Sequence, residues 1–331
     1  MATVQNYMMH QLSTAGEGLG EARDDDTRLS YGRNLGRFSE WAVSEYGSHG
    51  KALKAIKKDP PGAIQRYSDY LQNVVRDNGK HYSAATIHTY LAPVCLSLRV
   101  NMREIDKPKR SAASITRGRN GGSARALADA SNPKYDRLRI FQQATGIRRT
   151  ELAKLRPEDV FYLHDGLYVH VLQGKGGKEQ LQLVSDPEAV MKVLETVPDG
   201  QKTIFSKDEM KNHMNLHGMR QEEARAAYFR YAEQCKTPEG RKALQDALIL
   251  RYDRFHPRPD KMRKASLKKS DTQRSRFLRS IEDRPIRLRS SKEIAIRDGM
   301  PVIYDRTSVM AVSVFCLSHW RSDVTITNYL I

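Results

Sequence analysis

Between residues 160 and 184 the hydrophobic pattern of this 331-residue chain switches from a helical period to alternation, and that switch limits the folds open to it. Segments 160–162, 167–172 and 179–184 carry β-favouring residues on alternating faces and read as strands. The last two flank Gly174-Lys175-Gly176-Gly177-Lys178, whose glycines permit the positive φ of a tight hairpin turn. Helical periods dominate on both sides. The expected fold class is mostly α with a small antiparallel sheet: a helical domain followed by an α+β domain.

In residues 27–46, Leu35, Phe38, Ala42 and Tyr46 recur at helical spacing. Pro60 and Pro61 open a second helix striped by Ile64, Tyr67, Leu71 and Val74. Ser83 is a natural N-cap for a third, with Ile87, Tyr90, Leu91, Val94 and Leu98 on one face. Residues 27–105 are therefore expected to form an all-helical domain, preceded by a short polar leader at 1–26. Residues 106–134 lose the hydrophobic period and read as a basic Gly/Ser-rich linker.

The second domain is expected to span 135–331. Ser206 with Glu209 three residues on is the pattern of a capping box for a helix. His217-Gly218-Met219-Arg220 opens a longer helix running through Cys235. Residues 236–300 carry 19 basic against 9 acidic side chains and read as a basic insertion, after which a helical pattern resumes at Val309, Val312, Val314, Phe315 and Leu317.

With 56 Lys and Arg against 39 Asp and Glu, the formal net charge of +17 favours a polyanionic partner, nucleic acid above all. Candidate phosphate contacts are Lys107, Lys109, Arg110, Arg117 and Arg119 in the linker, and Lys261, Arg263, Lys264, Lys268 and Lys269 in the insertion. The three cysteines are isolated, which indicates neither a disulfide framework nor a zinc site. No signal-peptide pattern opens the chain, and no apolar run approaches the ~18 residues of a membrane span. A cytoplasmic, nucleoid-associated protein without membrane contact is expected.

Five basic groups and a phenol stand in a suggestive order: Arg148 after a glycine turn, Lys175 on the hairpin, His217 with Arg220 one helical turn later, and His319 ten residues before Tyr329. They suit transesterification at a phosphodiester. Arginine forks grip non-bridging oxygens and neutralise the charge that builds on phosphorus. A lysine on a turn can protonate a departing oxygen, histidines can move a proton, and a phenol can act as nucleophile. No metal or cofactor is called for, because the arginines take the role of a divalent ion.

Thr145-Gly146-Ile147-Arg148 with Glu151-Leu152, the Gly-Lys-Gly turn, His217-x-x-Arg220, and Leu317-Ser318-His319 leading to Tyr329 resemble the motifs of the tyrosine recombinase (phage integrase) family. The resemblance covers residues 135–331 as the catalytic domain, and residues 27–103 are similar to the family's core-binding domain. It implies Tyr329 as nucleophile, Arg148 and Arg220 on the scissile phosphate, Lys175 as general acid, His217 in acid/base exchange and His319 on a non-bridging oxygen. Lys178 is an alternative to Lys175, and Trp320 can share the role of His319. The implied function is a site-specific DNA recombinase or integrase of a mobile element, working through a 3′-phosphotyrosine. It would clamp double-stranded DNA and assemble as a tetramer.

The sequence departs from the family in two places. Arg220 and His319 are 99 residues apart, which assigns the basic segment to flanking DNA or a neighbouring subunit. Only Leu330 and Ile331 follow Tyr329, which leaves open how a C-terminal element is exchanged between protomers, and the short leader leaves no room for an arm-site domain. Two other functions stay open: a type IB topoisomerase-like relaxing activity, and a non-catalytic DNA-binding regulator.

Overall fold

The computed structural model describes residues 3–14, 25–110, 124–172, 174, 179–256, 264–289 and 291–331, excluding the side chains of 25, 26 and 264–267. The described residues are mostly helical, with a small antiparallel sheet. None of their helices is long and apolar enough to cross a membrane. The chain divides into two compact units, Met1–Thr116 and Arg117–Ile331.

The first unit contains α1 (Val4–Thr14), α2 (Asp25–Tyr46), α3 (His49–Lys58), α4 (Pro60–Asn73) and α5 (Ala84–Ser97). Ser48, Asp59 and Ser83 cap α3, α4 and α5 with side-chain oxygens that accept backbone N–H groups the helices leave unpaired. Its core gathers the expected stripes except Val74, which lies just past α4, and Phe38 is edge-on to Tyr67 at 5.0 Å. Two elements add to the sequence reading. The leader is in part a helix whose Val4 and Met8 are fully buried in this core. A further helix, α3, fills the gap before Pro60 and buries Ala52 and Ile56.

The second unit contains α6 (Ala124–Ala130), α7 (Asp136–Thr145), α8 (Arg149–Leu152), β1 (Val160–Leu163), β2 (Gly166–Val171), β3 (Gln180–Leu183), α9 (Pro187–Glu195) and α10 (Leu216–Gln234). It continues through α11 (Pro238–Phe255), α12 (Lys264–Arg279), β4 (Ile286–Arg287), α13 (Lys292–Arg297), β5 (Ile303–Tyr304), α14 (Arg306–Ala311) and α15 (Ser322–Thr325). The sheet is a meander of order β1-β2-β3, with Val160 opposite Val169 and Val171 opposite Gln180. The expected strands stand within a residue or two of these bounds. α6 lies inside the stretch read as linker. Ser206 and Glu209 do exchange capping hydrogen bonds, but only the 3₁₀ turn Glu209–Lys211 follows, because the chain breaks at Asn212 before α10.

The basic segment is no appendage. Leu244, Leu248 and Tyr252 of α11 and Phe277 of α12 join Ala224, Ala227 and Tyr228 of α10 and Val309 of α14 in one hydrophobic cluster. Tyr252 stacks on Phe277 at 4.3 Å, Arg274 pairs with Asp253 at 2.8 Å, and Gln245 donates to the Ile281 carbonyl at 2.7 Å. The order of these contacts makes α11 and α12 antiparallel neighbours.

Asp305 caps α14, accepting from the Ser308 N–H at 2.8 Å and from Arg241 Nη1 at 2.7 Å. Burial alone would raise its pKa; the Ser308 donors and Arg241 outweigh burial and hold the carboxyl below its ordinary value. A depressed carboxyl contributes stability that is present above the unfolded value of about 3.9 and lost as pH falls through the folded one. Unfolding followed against pH should therefore show a steeper acid decline in the parent than in Asp305→Asn. Met8→Ala should lower unfolding free energy by about 2–5 kcal/mol in urea titration, as for a core methionine; a solvated leader would give a change within about 0.5 kcal/mol.

Candidate active site

The second unit gathers its basic motif residues around three short backbone features. The first follows α7, which ends at Gly146 with φ +58°, a left-handed conformation that glycine adopts without steric cost. Two residues on, Arg148 is the N-cap of α8, and its backbone carbonyl accepts the Glu151 N–H at 2.9 Å. The Glu151 carboxylate accepts the Arg148 N–H at 3.1 Å and Nη1 at 2.6 Å. Gln180 of β3 closes the ring: its Oε1 accepts from Arg148 Nη1 at 3.1 Å and its Nε2 donates to Glu151 at 3.3 Å. One edge of the guanidinium is thus fixed by the hairpin strand. On the other edge, Nη2 stands 3.4 Å from each ring nitrogen of His319.

The second feature is the start of α10. Asn215 Oδ1 accepts the Gly218 N–H at 2.9 Å and nucleates the turn that carries His217 and Arg220. Residues three apart share a helix face. Arg220 is 1% exposed. Its Nη1 donates to the Gly146 carbonyl and its Nη2 to the Leu317 carbonyl at 2.9 Å, while Nε has no partner among the described residues. No carboxylate of the described residues stands within ion-pairing distance. Burial pulls the pKa of this guanidinium down, and the neighbouring Tyr329 phenol opposes that. An arginine still keeps its charge.

The third feature is the C-terminal segment, where the helix widens twice. Val312–Cys316 and Ile326–Leu330 are π-turns, with Leu317 N–H donating to the Val312 carbonyl at 3.1 Å and Ile331 N–H to Ile326 at 3.0 Å. Such turns re-aim the residues that follow, and they recur at functional sites. Between them, Ser318 and Trp320 take left-handed φ of +51° and +57° on either side of His319. Ser313 holds this strained link, accepting the His319 N–H on its carbonyl at 2.8 Å and the Arg321 N–H on its hydroxyl at 2.8 Å.

These features meet at Tyr329. Its hydroxyl lies 3.2 Å from His319 Nε2, its ring centroid is 5.5 Å from that of His217, and Arg220 sits over the ring at 5.4 Å. The phenol is 5% exposed. A cleft of about 350 Å³ is bordered by Arg148, Asn215, His217 and Arg220; His319 and Tyr329 are not among its lining residues. The arrangement offers cationic and N–H donors to an anion, with a phenol and two imidazoles alongside.

Arg148, His217, Arg220, His319 and Tyr329 are therefore together. Lys175 and Lys178 lie outside the described residues, as do Arg117, Arg119, Lys261, Arg263 and the side chain of Lys264. Trp320 turns from the phenol into the α11–α12 pair, 5.0 Å from the His256 ring and 5.9 Å from Tyr252 and from Phe277. In the first unit Lys107 spends its ammonium on the carbonyls of Met102 and Ile105, whereas Lys109 and Arg110 are exposed. On α12, Lys268 and Lys269 are exposed.

Sequence reasoning missed Gln180 and gave Glu151 no task. Gln180 and Gln182 alternate with leucines and so read as a solvent face, yet they are 5% and 1% exposed. Comparison with family models, with curated proteins and with solved structures returned no match to this chain.

Removing Glu151 strands the Arg148 guanidinium and leaves Gln180 without its second partner. Glu151→Ala should cost about 3 kcal/mol of unfolding free energy, in the range for breaking a buried ion pair. Chemical denaturation reads this directly.

Proposed function

We propose that this chain is a DNA strand transferase of the tyrosine recombinase type, serving the integration, excision or transposition of a mobile element. The observation that carries the reading is Arg220, a buried guanidinium whose terminal nitrogens donate to two backbone carbonyls and which no carboxylate of the described residues pairs, placed against a phenol that is itself hydrogen-bonded to an imidazole. A buried charge without a counter-charge is costly. A phosphodiester entering the cleft supplies that counter-charge.

In this reading Arg148 and Arg220 grip the non-bridging oxygens. Tyr329 Oη attacks phosphorus, the P–O5′ bond breaks, and the DNA is left as a 3′-phosphotyrosine and a 5′ hydroxyl. His319 or His217 takes the phenol proton, and Lys175 gives one to the departing 5′ oxygen. The arginines stabilise the pentacoordinate charge where it forms. The phosphotyrosine keeps the bond energy, so a 5′ hydroxyl from a second duplex reseals the strand without ATP. Exchange between duplexes requires four protomers on two DNAs, with the helical first unit supplying further duplex contacts.

The test uses a pool of nicked duplexes cut from the DNA that flanks the coding sequence, so that cleavage releases a short fragment and cannot reverse. Denaturing gels and peptide mapping should find an adduct on Tyr329. It should be absent in Tyr329→Phe and form about 10²–10³-fold more slowly in Arg148→Lys. Tight binding with Tyr329→Phe behaving as the parent does would replace this reading with a non-catalytic DNA-binding protein.

A further inference from the structure

α12 has two unlike faces. At 100° per residue, Phe277 and Leu278 fall on the side that meets α11, and Arg274 joins them there through Asp253. Lys268, Lys269, Thr272, Gln273, Arg276 and Arg279 fall within an arc of about 140° on the opposite side. All six are exposed. None of the four cations has a carboxylate of the described residues within ion-pairing distance, although this helix and α11 pair others freely. Lys268, Lys269, Thr272, Gln273 and Arg276 border a shallow depression of about 340 Å³.

Four positive charges with no carboxylate partner among the described residues, spread over a rise of about 16 Å, repel one another, and a stripe of this kind persists where something else neutralises it. The occupant can be narrowed by chemistry. The apolar side of α12 is already spent on α11, so the helix has no second apolar face to lay on a lipid surface. The stripe has no aromatic or aliphatic anchor at its centre, which a stable protein interface would bring. Threonine and glutamine between lysines and arginines are the side chains that bind sugar-phosphate backbone.

We propose that the Lys268–Lys269–Arg276–Arg279 face of α12 docks on the phosphate backbone of duplex DNA outside the cleaved segment. The proposal rests on the reading that this chain acts on DNA, and it adds a specific, sequence-independent contact to it. Each phosphate neutralised contributes about −0.9 to the slope of log affinity against log salt. Four contacts therefore amount to a slope of between −3 and −4, about a hundredfold in affinity between 50 and 200 mM salt.

The experiment measures binding of the full chain to a fluorescent mixed-sequence duplex over a salt series. It compares the parent, a quadruple variant (Lys268→Ala, Lys269→Ala, Arg276→Ala, Arg279→Ala), and a charge-matched control on exposed lysines of the same unit (Lys192→Ala, Lys202→Ala, Lys207→Ala, Lys236→Ala). The α12 variant should bind at least about tenfold more weakly near 0.1 M salt, with a slope shallower by 3 to 4, and the control should change its slope by less than about 1. Equal changes in the two variants reduce the effect to net charge and overturn the proposal. An unchanged slope in the α12 variant also overturns it, and a simultaneous loss of self-association in sedimentation would then assign the stripe to a neighbouring subunit. Because the readout is equilibrium binding, absence of a Tyr329 adduct does not affect it. A failed α12 contact likewise leaves the adduct assay on the parent protein intact.

Discussion

Arg220 is the interaction on which the second unit's geometry depends. Its two terminal nitrogens reach the carbonyl of Gly146, behind α7, and the carbonyl of Leu317, behind the first π-turn. One side chain thereby holds three distant stretches in register: the glycine turn that presents Arg148, the start of α10 with His217, and the strained link carrying His319. The cost is a desolvated charge with its Nε left without a partner among the described residues. Well-packed apolar residues would serve stability better than such a group.

The supporting shell follows the same logic. Glu151 and Gln180 lock Arg148, and Ser313 holds both ends of the His319 link with its carbonyl and its hydroxyl. Left-handed φ at Ser318 and Trp320 costs on the order of 1 kcal/mol each and persists only where the surroundings over-determine it. The surroundings here are the Ser313 hydrogen bonds on one side and the aromatic contacts of Trp320 with Tyr252, His256 and Phe277 on the other. The α11–α12 pair thus reaches within one residue of His319.

Much of this was legible in the residues. α2, α4, α5 and the meander announced themselves through caps, prolines, glycines and clean periods, and the motif residues Arg148, His217, Arg220, His319 and Tyr329 do come together. The failures have physical causes. α1 has a polar composition: only Val4 and Met8 are fully buried, while Tyr7, Met9 and Leu12 are half-buried against the same core. Leu244, Leu248 and Tyr252 recur every fourth residue, but the charge excess around them suggested solvent and hid their place in the core. Gln180 follows the alternation of a solvent-facing strand position, and only the tertiary fold turns it onto Arg148. The π-turns carry no period that a 3.6-residue template would detect.

The hydrogen bond from Arg220 to Leu317 spans 97 residues of chain, and all of α11 and α12 lies within that span. Closing so long a loop is entropically expensive until the intervening helices have packed and shortened its effective length. Packing of α11 and α12 shortens the span that the Arg220–Leu317 contact must close. A chain in which α11 and α12 have not packed carries the positive surface without the assembled cluster of Arg220, His319 and Tyr329.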